Sequence, residues 1–325
     1  MTGNHGYKHF TFPDYSLTGF ARFIIRRGAL HLNFREKRVF VDSLHMTSAN
    51  GACLIEKNRY LVLERNSMKI IISPAKKMME DTDTFSGREK PVFLEETEKL
   101  MKWIQTLPYA DVKELWDCND KIAEENYRRF HNMNLKGDLT PAILAYDGIQ
   151  YQYMAPSVFE YGEFDYVQTH LRILSGFYGV LKPMDGVTPY RLEMQAKAEV
   201  DGCNNLYEFW GDKIYREVMD ESRTVINLAS KEYSKCVEAF LQPGDKFITC
   251  VFGEVSEDQK KSGKPRVIQK GVYAKMARGE MVRFMAVNDI REPEQVKKFN
   301  WSGYKFREDL SSDTEYVFVT SSHEY

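Results

Sequence analysis

Apolar and polar positions show no sustained helical or strand period over the first 67 residues, where Gly3, Gly6, Gly19, Gly28 and Gly51 are scattered among basic residues. The pattern sharpens at Met68. Met-Lys-Ile-Ile-Ile-Ser-Pro reads as a first strand entering a core. Phe93, Leu94, Leu100, Met101 and Ile104 then suit one face of a helix over 93–106. The expected organisation is therefore a domain over 68–325, preceded by a non-native or disordered extension over 1–67. Glu64-Arg65 can be encoded by a purine-rich stretch resembling a ribosome-binding site. This makes Met68 the expected start of translation, and a disordered native extension is the alternative. Recovery of peptides from residues 1–60 from native material would decide for the extension.

Beyond residue 106 the pattern predicts short helices over 110–116 and 120–130, a strand over 142–146 and a helix over 163–174 stopped near Gly176 and Gly179. A helix over 207–219, strands over 224–228 and 246–252, and a long helix over 271–288 follow. A short helix over 293–299 and closing strands over 304–306 and 315–319 complete the set. Strands and helices do not alternate regularly and no internal repeat occurs. The expected class is α+β, one compact domain with a mixed sheet and surrounding helices, rather than a doubly wound sheet or barrel.

Composition narrows the function classes. The chain is 43% apolar and 28% charged, and no run reaches the roughly 18 apolar residues of a membrane span. A cytoplasmic location without membrane contact is expected. Five scattered cysteines without a C-x-x-C pair suggest reduced core thiols rather than disulfides or a zinc site. Residues 1–67 hold ten Lys/Arg against five Asp/Glu, formally +5, and the rest 35 against 42, formally −7. A polyanion binding the main domain must meet a local basic face, because the overall field repels it.

Ser73-Pro74-Ala75-Lys76 has the S-x-x-K spacing of a serine nucleophile with its lysine, yet S-D-N is absent and Lys261-Ser262-Gly263 sits in a polar loop. Two other readings stand beside it. Ser73 is suited to N-capping a helix that begins at Pro74, and such a turn with Lys76 is also suited to an anion. Phosphate-loop and dinucleotide fingerprints are absent, and the histidines of the main domain, His131, His170 and His323, lack partners at ligand spacing. No metal and no cofactor are expected. Lys260, Lys261, Lys264, Arg266, Lys270, Lys275, Arg278 and Arg283 are opposed within 260–283 only by Glu280. On the helix, Arg278 lies roughly 60° to one side of Lys275 and Arg283 roughly 80° to the other, which describes either a solvated face or a phosphate contact. His170 to Asp185, followed by Pro189 to Met194, brings Arg172, Lys182 and Arg191 around a glycine turn, with Asp185 and Glu193 as alternative salt-bridge partners. Val112 to Phe130 reads as two helices joined at Asp117-Cys118-Asn119, an ordinary helical hairpin or one that grips a nucleic-acid backbone.

Together, Ile-Ser-Pro-Ala-Lys at 72–76, His170 to Asp185, Tyr190 to Met194, Leu206 to Asp212, Val225 to Ser230 with Glu232-Tyr233, and Tyr273 to Gly279 closely resemble the bacterial peroxide stress protein YaaA family, in order, over about residues 68–319. Family members also start where Met68 falls. The resemblance implies a family-specific α+β fold, a positively charged cleft, binding of double-stranded and distorted DNA, and a role in limiting free iron and oxidative damage during peroxide stress. It maps a helix-hairpin-helix onto Val112 to Phe130 and the basic cleft onto Lys76, Arg172, Arg191, Lys275, Arg278 and Arg283. The leader before Met68 and the lysine-rich loop around Lys260 depart from the family.

Two functions of different class compete. The first is a monomeric DNA-binding stress protein that contacts backbone phosphates and is not an enzyme. The second is an enzyme acting in the same cleft on a phosphate-bearing small molecule or nucleic acid, with Ser73, Lys76, Tyr190 or Glu193 as candidate catalytic groups. A carboxylate facing Arg191 and Lys76 in a pocket favours the second, and an open basic trough the first. Direct iron sequestration is a third, poorly supplied with ligands.

Overall fold

The computed structural model describes residues 68–80, 89–137, 139–256 and 266–321, together with the backbone of three strands nearer the N-terminus. Those strands, β1 (Arg22–Arg26), β2 (Ala29–Phe34) and β3 (Lys37–Val41), form an antiparallel sheet. They belong to a unit spanning Met1–Tyr60, distinct from the unit Leu61–Tyr325. The sequence reading anticipated no element here. Leu30-His-Leu-Asn-Phe34 does alternate, a strand signal that the scattered glycines and basic residues around it obscured.

The second unit opens with β4 (Lys69–Ile72) and β5 (Lys77–Met78), then α1 (Leu94–Thr106), α2 (Tyr109–Trp116) and α3 (Asp120–His131). β6 (Thr140–Pro141), α4 (Ala142–Ala145), β7 (Tyr146–Asp147), α5 (Ile149–Met154) and α6 (Tyr161–His170) lead into β8 (Leu171–Ser175), β9 (Gly179–Leu181) and β10 (Gly186–Val187). Next come α7 (Leu206–Trp210), α8 (Lys213–Val218), β11 (Thr224–Leu228), α9 (Lys231–Glu238) and β12 (Lys246–Ser256). β13 (Arg266–Ile268), α10 (Gly271–Val287), α11 (Pro293–Val296), β14 (Lys305–Phe306) and β15 (Glu315–Val319) close the chain.

The result is an α+β domain around a mixed sheet of order β14-β15-β12-β11-β4-β8-β9, with β13 antiparallel on β12. Its five middle strands are parallel, and antiparallel β14 and β9 close the two edges. β4 owes its central place to a run buried on both faces, since Ile70, Ile71 and Ile72 are fully covered. In chain order the second parallel strand, β8, lies on one side of β4 and the third, β11, on the other. The direction of winding therefore reverses between β4 and β11, and open parallel sheets leave a crevice beyond the carboxyl ends of the strands at such a point. No helix among the described residues is long and apolar enough to cross a membrane.

Four local expectations change. Residues 142–146 form α4 and the start of β7, not one strand, because Ala142 and Ile143 donate to the carbonyls of Asp185 and Pro183. The helix expected over 163–174 ends at His170, and Leu171–Ser175 becomes a strand with all five residues buried. A short apolar run fits either element, and pairing with β4 and β9 decides it. The helix expected over 207–219 is divided by Gly211, at φ 48°. Finally, no helix follows Ser73: residues 73–76 form a loop into β5, which pairs with β7.

Candidate functional site

The loops after β4 and β11 meet beyond the carboxyl ends of those strands. Ser73 follows β4, and Ser230 is the N-cap residue of α9 after β11. Ser230 donates its backbone N–H to Ser73 Oγ at 2.8 Å, and the Ser73 hydroxyl donates to Ser230 Oγ at 3.2 Å. Ser73 thus bridges the two loops instead of capping a helix of its own. From the other side the Tyr151 hydroxyl of α5 donates to the Ser73 carbonyl at 3.0 Å.

Into this crevice the segment 190–194 brings a cation and a carboxylate. Glu193 Oε2 lies 2.8 Å from Lys76 Nζ, and Glu193 Oε1 accepts from Arg191 Nη2 at 3.1 Å. The exposures of these three side chains differ usefully: Lys76 is 67% exposed, Glu193 18% and Arg191 10%. One cation faces solvent, while the other is held in the wall. Arg191 Nε also donates to the Trp116 carbonyl at 3.3 Å, which ties the crevice to the end of α2.

The segment reaches this position because Gly176 has no side chain. A Cβ there would stand 2.5 Å from the Leu192 carbonyl oxygen and 3.0 Å from the Glu193 carbonyl carbon. Trp210 Nε1 fixes the same turn by donating to the Gly176 carbonyl at 3.0 Å.

A second carboxylate arrives on the first turn of α9. Glu232 accepts from the Gln195 backbone at 3.4 Å, and burial together with the neighbouring Glu193 carboxylate pushes its pKa up, while Lys76 partly offsets this. Tyr190 is a different matter. Its hydroxyl is buried in a chain with Ser175 Oγ at 2.6 Å and the Tyr146 hydroxyl at 2.8 Å, and burial pushes its pKa up to about 12. It serves the wall and does not open into the crevice.

The six expected basic residues are not gathered into one set. Lys76 and Arg191 converge through Glu193. Arg172 lies toward the amino end of β8, where Nη1 donates to the carbonyls of Leu171 at 2.8 Å and of Gln168 and Thr169 at 3.4 Å. It closes the end of α6 as a C-terminal capping arginine. Its surroundings include Asp185, buried and pushed up to about 7 by desolvation, and Glu217. Lys275, Arg278 and Arg283 ride on α10 as expected, but Lys275 alone is exposed. Arg278 keeps a buried Nε without a hydrogen-bond partner and is pushed down by desolvation near Cys250, while Arg283 is half-buried. Helix periodicity does not say which face the neighbouring α5 and β12 cover. Lys260, Lys261 and Lys264 lie outside the described residues.

The segment expected to hold two helices forms α2 and α3, joined at Asp117-Cys118-Asn119. Asp117 adopts left-handed φ 42°, Asn119 Oδ1 caps α3 by accepting from the Ile122 backbone, and Trp116 stacks on Phe130 at 5.6 Å. Lys113 pairs with Asp120, and Arg129 with Glu125. Cys236 and Cys250 are buried thiols pushed up to about 12, whereas Cys118 and Cys203 are half-buried. No group of three or more His, Cys, Asp or Glu among the described residues is arranged to hold a metal ion. Sequence reasoning missed Ser230 and Glu232 as site residues. The available signal was an apolar strand followed by a serine at a helix start.

Residues 68–310 match the family model described as peroxide stress protein YaaA. The UPF0246 protein of Agathobacter rectalis is 60% identical over 251 residues, covering 77% of this chain and 98% of that protein. Its counterpart in Desulfitobacterium hafniense is 57% identical over 257 residues, 79% and 100% of the two chains, and that of Pediococcus pentosaceus 52% over 252 residues, 78% and 98%.

Proposed function

This chain belongs to the peroxide stress protein YaaA family, and on that premise we propose that it is a cytoplasmic, monomeric DNA-binding protein of the oxidative stress response. Its action is to hold a phosphate group in the crevice between β4 and β11, and its cellular effect is to limit free iron and DNA damage. One observation carries the reading: two cations from separate loops, Lys76 and Arg191, converge where the winding of the sheet reverses. Lysine supplies a point charge and arginine a planar fork, the pair suited to phosphate oxygens. Exposed Lys275 adds a further backbone contact, while Arg172 and the buried part of Arg278 take structural places. The link from Arg191 to the Trp116 carbonyl gives α2 and α3 a route to the same phosphate, as a hairpin resting against the backbone.

Fluorescence anisotropy on plain and bubble-containing duplexes at rising salt tests this. Binding should be salt-sensitive, and Lys76→Gln should weaken it about tenfold while lowering the salt slope by about one. No measurable affinity at low salt, or affinity untouched by Lys76→Gln together with Lys275→Gln, sinks the reading.

A second reading has its own support. Glu193 faces both cations beside the Ser73–Ser230 contact, and Glu232 is a second carboxylate with a raised pKa. Carboxylates in unlike surroundings are the usual parts of acid and base chemistry. An enzyme acting on a phosphate-bearing ligand would use Glu193, Lys76 and Ser73 here, with Tyr190 confined to supporting the wall. Product formation from an oligonucleotide or nucleotide, abolished by Glu232→Gln with binding retained, would establish it over simple binding.

A further inference from the structure

We infer, building on the phosphate reading above, that the crevice takes a terminal phosphate, a phosphomonoester, in preference to the phosphodiesters of a continuous nucleic-acid backbone, with Glu193 holding the place of that phosphate until it binds. Glu193 already occupies the position a phosphate would take. Its two oxygens each serve one cation, Oε2 on Lys76 at 2.8 Å and Oε1 on Arg191 at 3.1 Å, so it presents two acceptors to two donors as a phosphate does. An incoming anion must therefore outcompete a resident one.

Charge decides that competition. Lys76 and Arg191 together carry two positive charges, and Glu193 returns one negative charge. A phosphodiester carries a single negative charge and so gains less from the two cations. A phosphomonoester carries about −1.5 to −2 at neutral pH, with three terminal oxygens, and so neutralises both cations where the carboxylate neutralises one. Glu193 lies in a segment fixed by the close approach of Gly176 to Leu192 and Glu193, which limits how far its backbone can withdraw. The serines that join the two loops add neutral polar groups without altering this balance.

The test compares one single-stranded oligonucleotide carrying a 5′-phosphate with the same oligonucleotide ending in a 5′-hydroxyl, measured on the full chain by anisotropy. The wild-type protein should prefer the phosphorylated end by about tenfold, the discrimination expected of one well-placed charged contact. Glu193→Gln, which keeps an acceptor oxygen but removes the charge that any incoming anion must displace, should strengthen binding of the phosphorylated strand and keep or widen the preference. Equal binding of the two strands by the wild-type protein overturns the inference without needing any variant, as does a folded Glu193→Gln protein that binds the phosphorylated strand no more tightly than wild type. If neither strand binds, the phosphate reading itself falls, and this one with it. A nucleoside 5′-monophosphate as competitor distinguishes the source: displacement at concentrations comparable to the oligonucleotide assigns the monoester to free nucleotide, and weak displacement assigns it to a strand end. Either result supports monoester selectivity.

Discussion

Two clusters of mixed charge flank the same stretch of sheet and put their arginines to opposite uses. Toward the amino end of β8, Arg172 directs Nη1 to three main-chain carbonyls, and its neighbours Asp185 and Lys69 are buried as well. Lys69 is pinned in turn by Asp220 at 2.9 Å and the Thr169 carbonyl at 3.2 Å. Beyond the carboxyl ends of β4 and β11, Arg191 is almost as well covered, but through Glu193 it is joined to Lys76, which faces solvent. Residue type does not separate the clusters. What separates them is where the terminal Nη donors end: Arg172 Nη1 on backbone, where it completes a helix terminus, and Arg191 Nη2 on a carboxylate that a ligand can displace.

The comparison can be broken most forcefully at Asp185. Its carboxyl is pushed from an ordinary value near 3.8 up to about 7, mainly by burial and partly relieved by the Lys182 backbone N–H. A carboxyl raised on folding favours the native state while it holds its proton there. That stability is fully present below about pH 4 and is lost as pH rises toward 7, a difference of about 4 kcal/mol. Asp185→Asn keeps an acceptor for the Lys182 N–H without the buried charge. It should be more stable than wild type at pH 8 by an amount approaching that figure and nearly equal to it at pH 4, as read by urea denaturation. A wild-type stability that is flat over this window would show that the cluster is better solvated than its geometry indicates.

Arg172→Met comes next. It removes the guanidinium donor from the carbonyls of Leu171, Gln168 and Thr169, of which Thr169 keeps Lys69, and takes a countercharge from Asp185, and should cost about 3 kcal/mol. DNA affinity of the folded fraction should not change. A loss of affinity at unchanged fold would move Arg172 from structure to function and erase the contrast. Gly176→Ala should cost about 2 kcal/mol, since the new Cβ meets backbone that cannot easily yield. Because the displaced backbone carries Glu193, this variant should also change anion binding, which Arg172→Met should not.

These clusters also mark how far the sequence could be read. The α+β class, β4, the helical pair α2 and α3, and α10 follow from apolar period and capping residues, which are local signals. The Leu171–Ser175 segment did not yield, because a fully buried strand has no alternation to distinguish it from a helix end. Lys76 was legible as a candidate from the Ser73-Pro74-Ala75-Lys76 spacing and Arg191 from its place after the glycine turn. Their union was not, since it depends on the order of parallel strands and on Gly176 admitting the 190–194 segment. Ser73 looked like a helix cap because Ser-Pro is good cap chemistry. Its hydroxyl instead joins Ser230, 157 residues away, a contact that no local window contains.

The smallest expected stability effect is the one that best isolates the open cluster. Lys76 is two-thirds exposed and pairs with Glu193 at the rim, an arrangement that contributes about 0.5 kcal/mol or less. Lys76→Gln should therefore leave the urea midpoint almost unmoved while weakening binding of a phosphate-bearing strand about tenfold, or about 1.4 kcal/mol. Arg172→Met should do the reverse, with a large stability loss and intact binding. Measured side by side, the two variants form a crossed pair in which each serves as the other's control. If Lys76→Gln destabilises the fold as strongly as Arg172→Met, the Glu193 bridge is a structural clasp, and the crevice is then as closed to ligands as the cluster around Arg172.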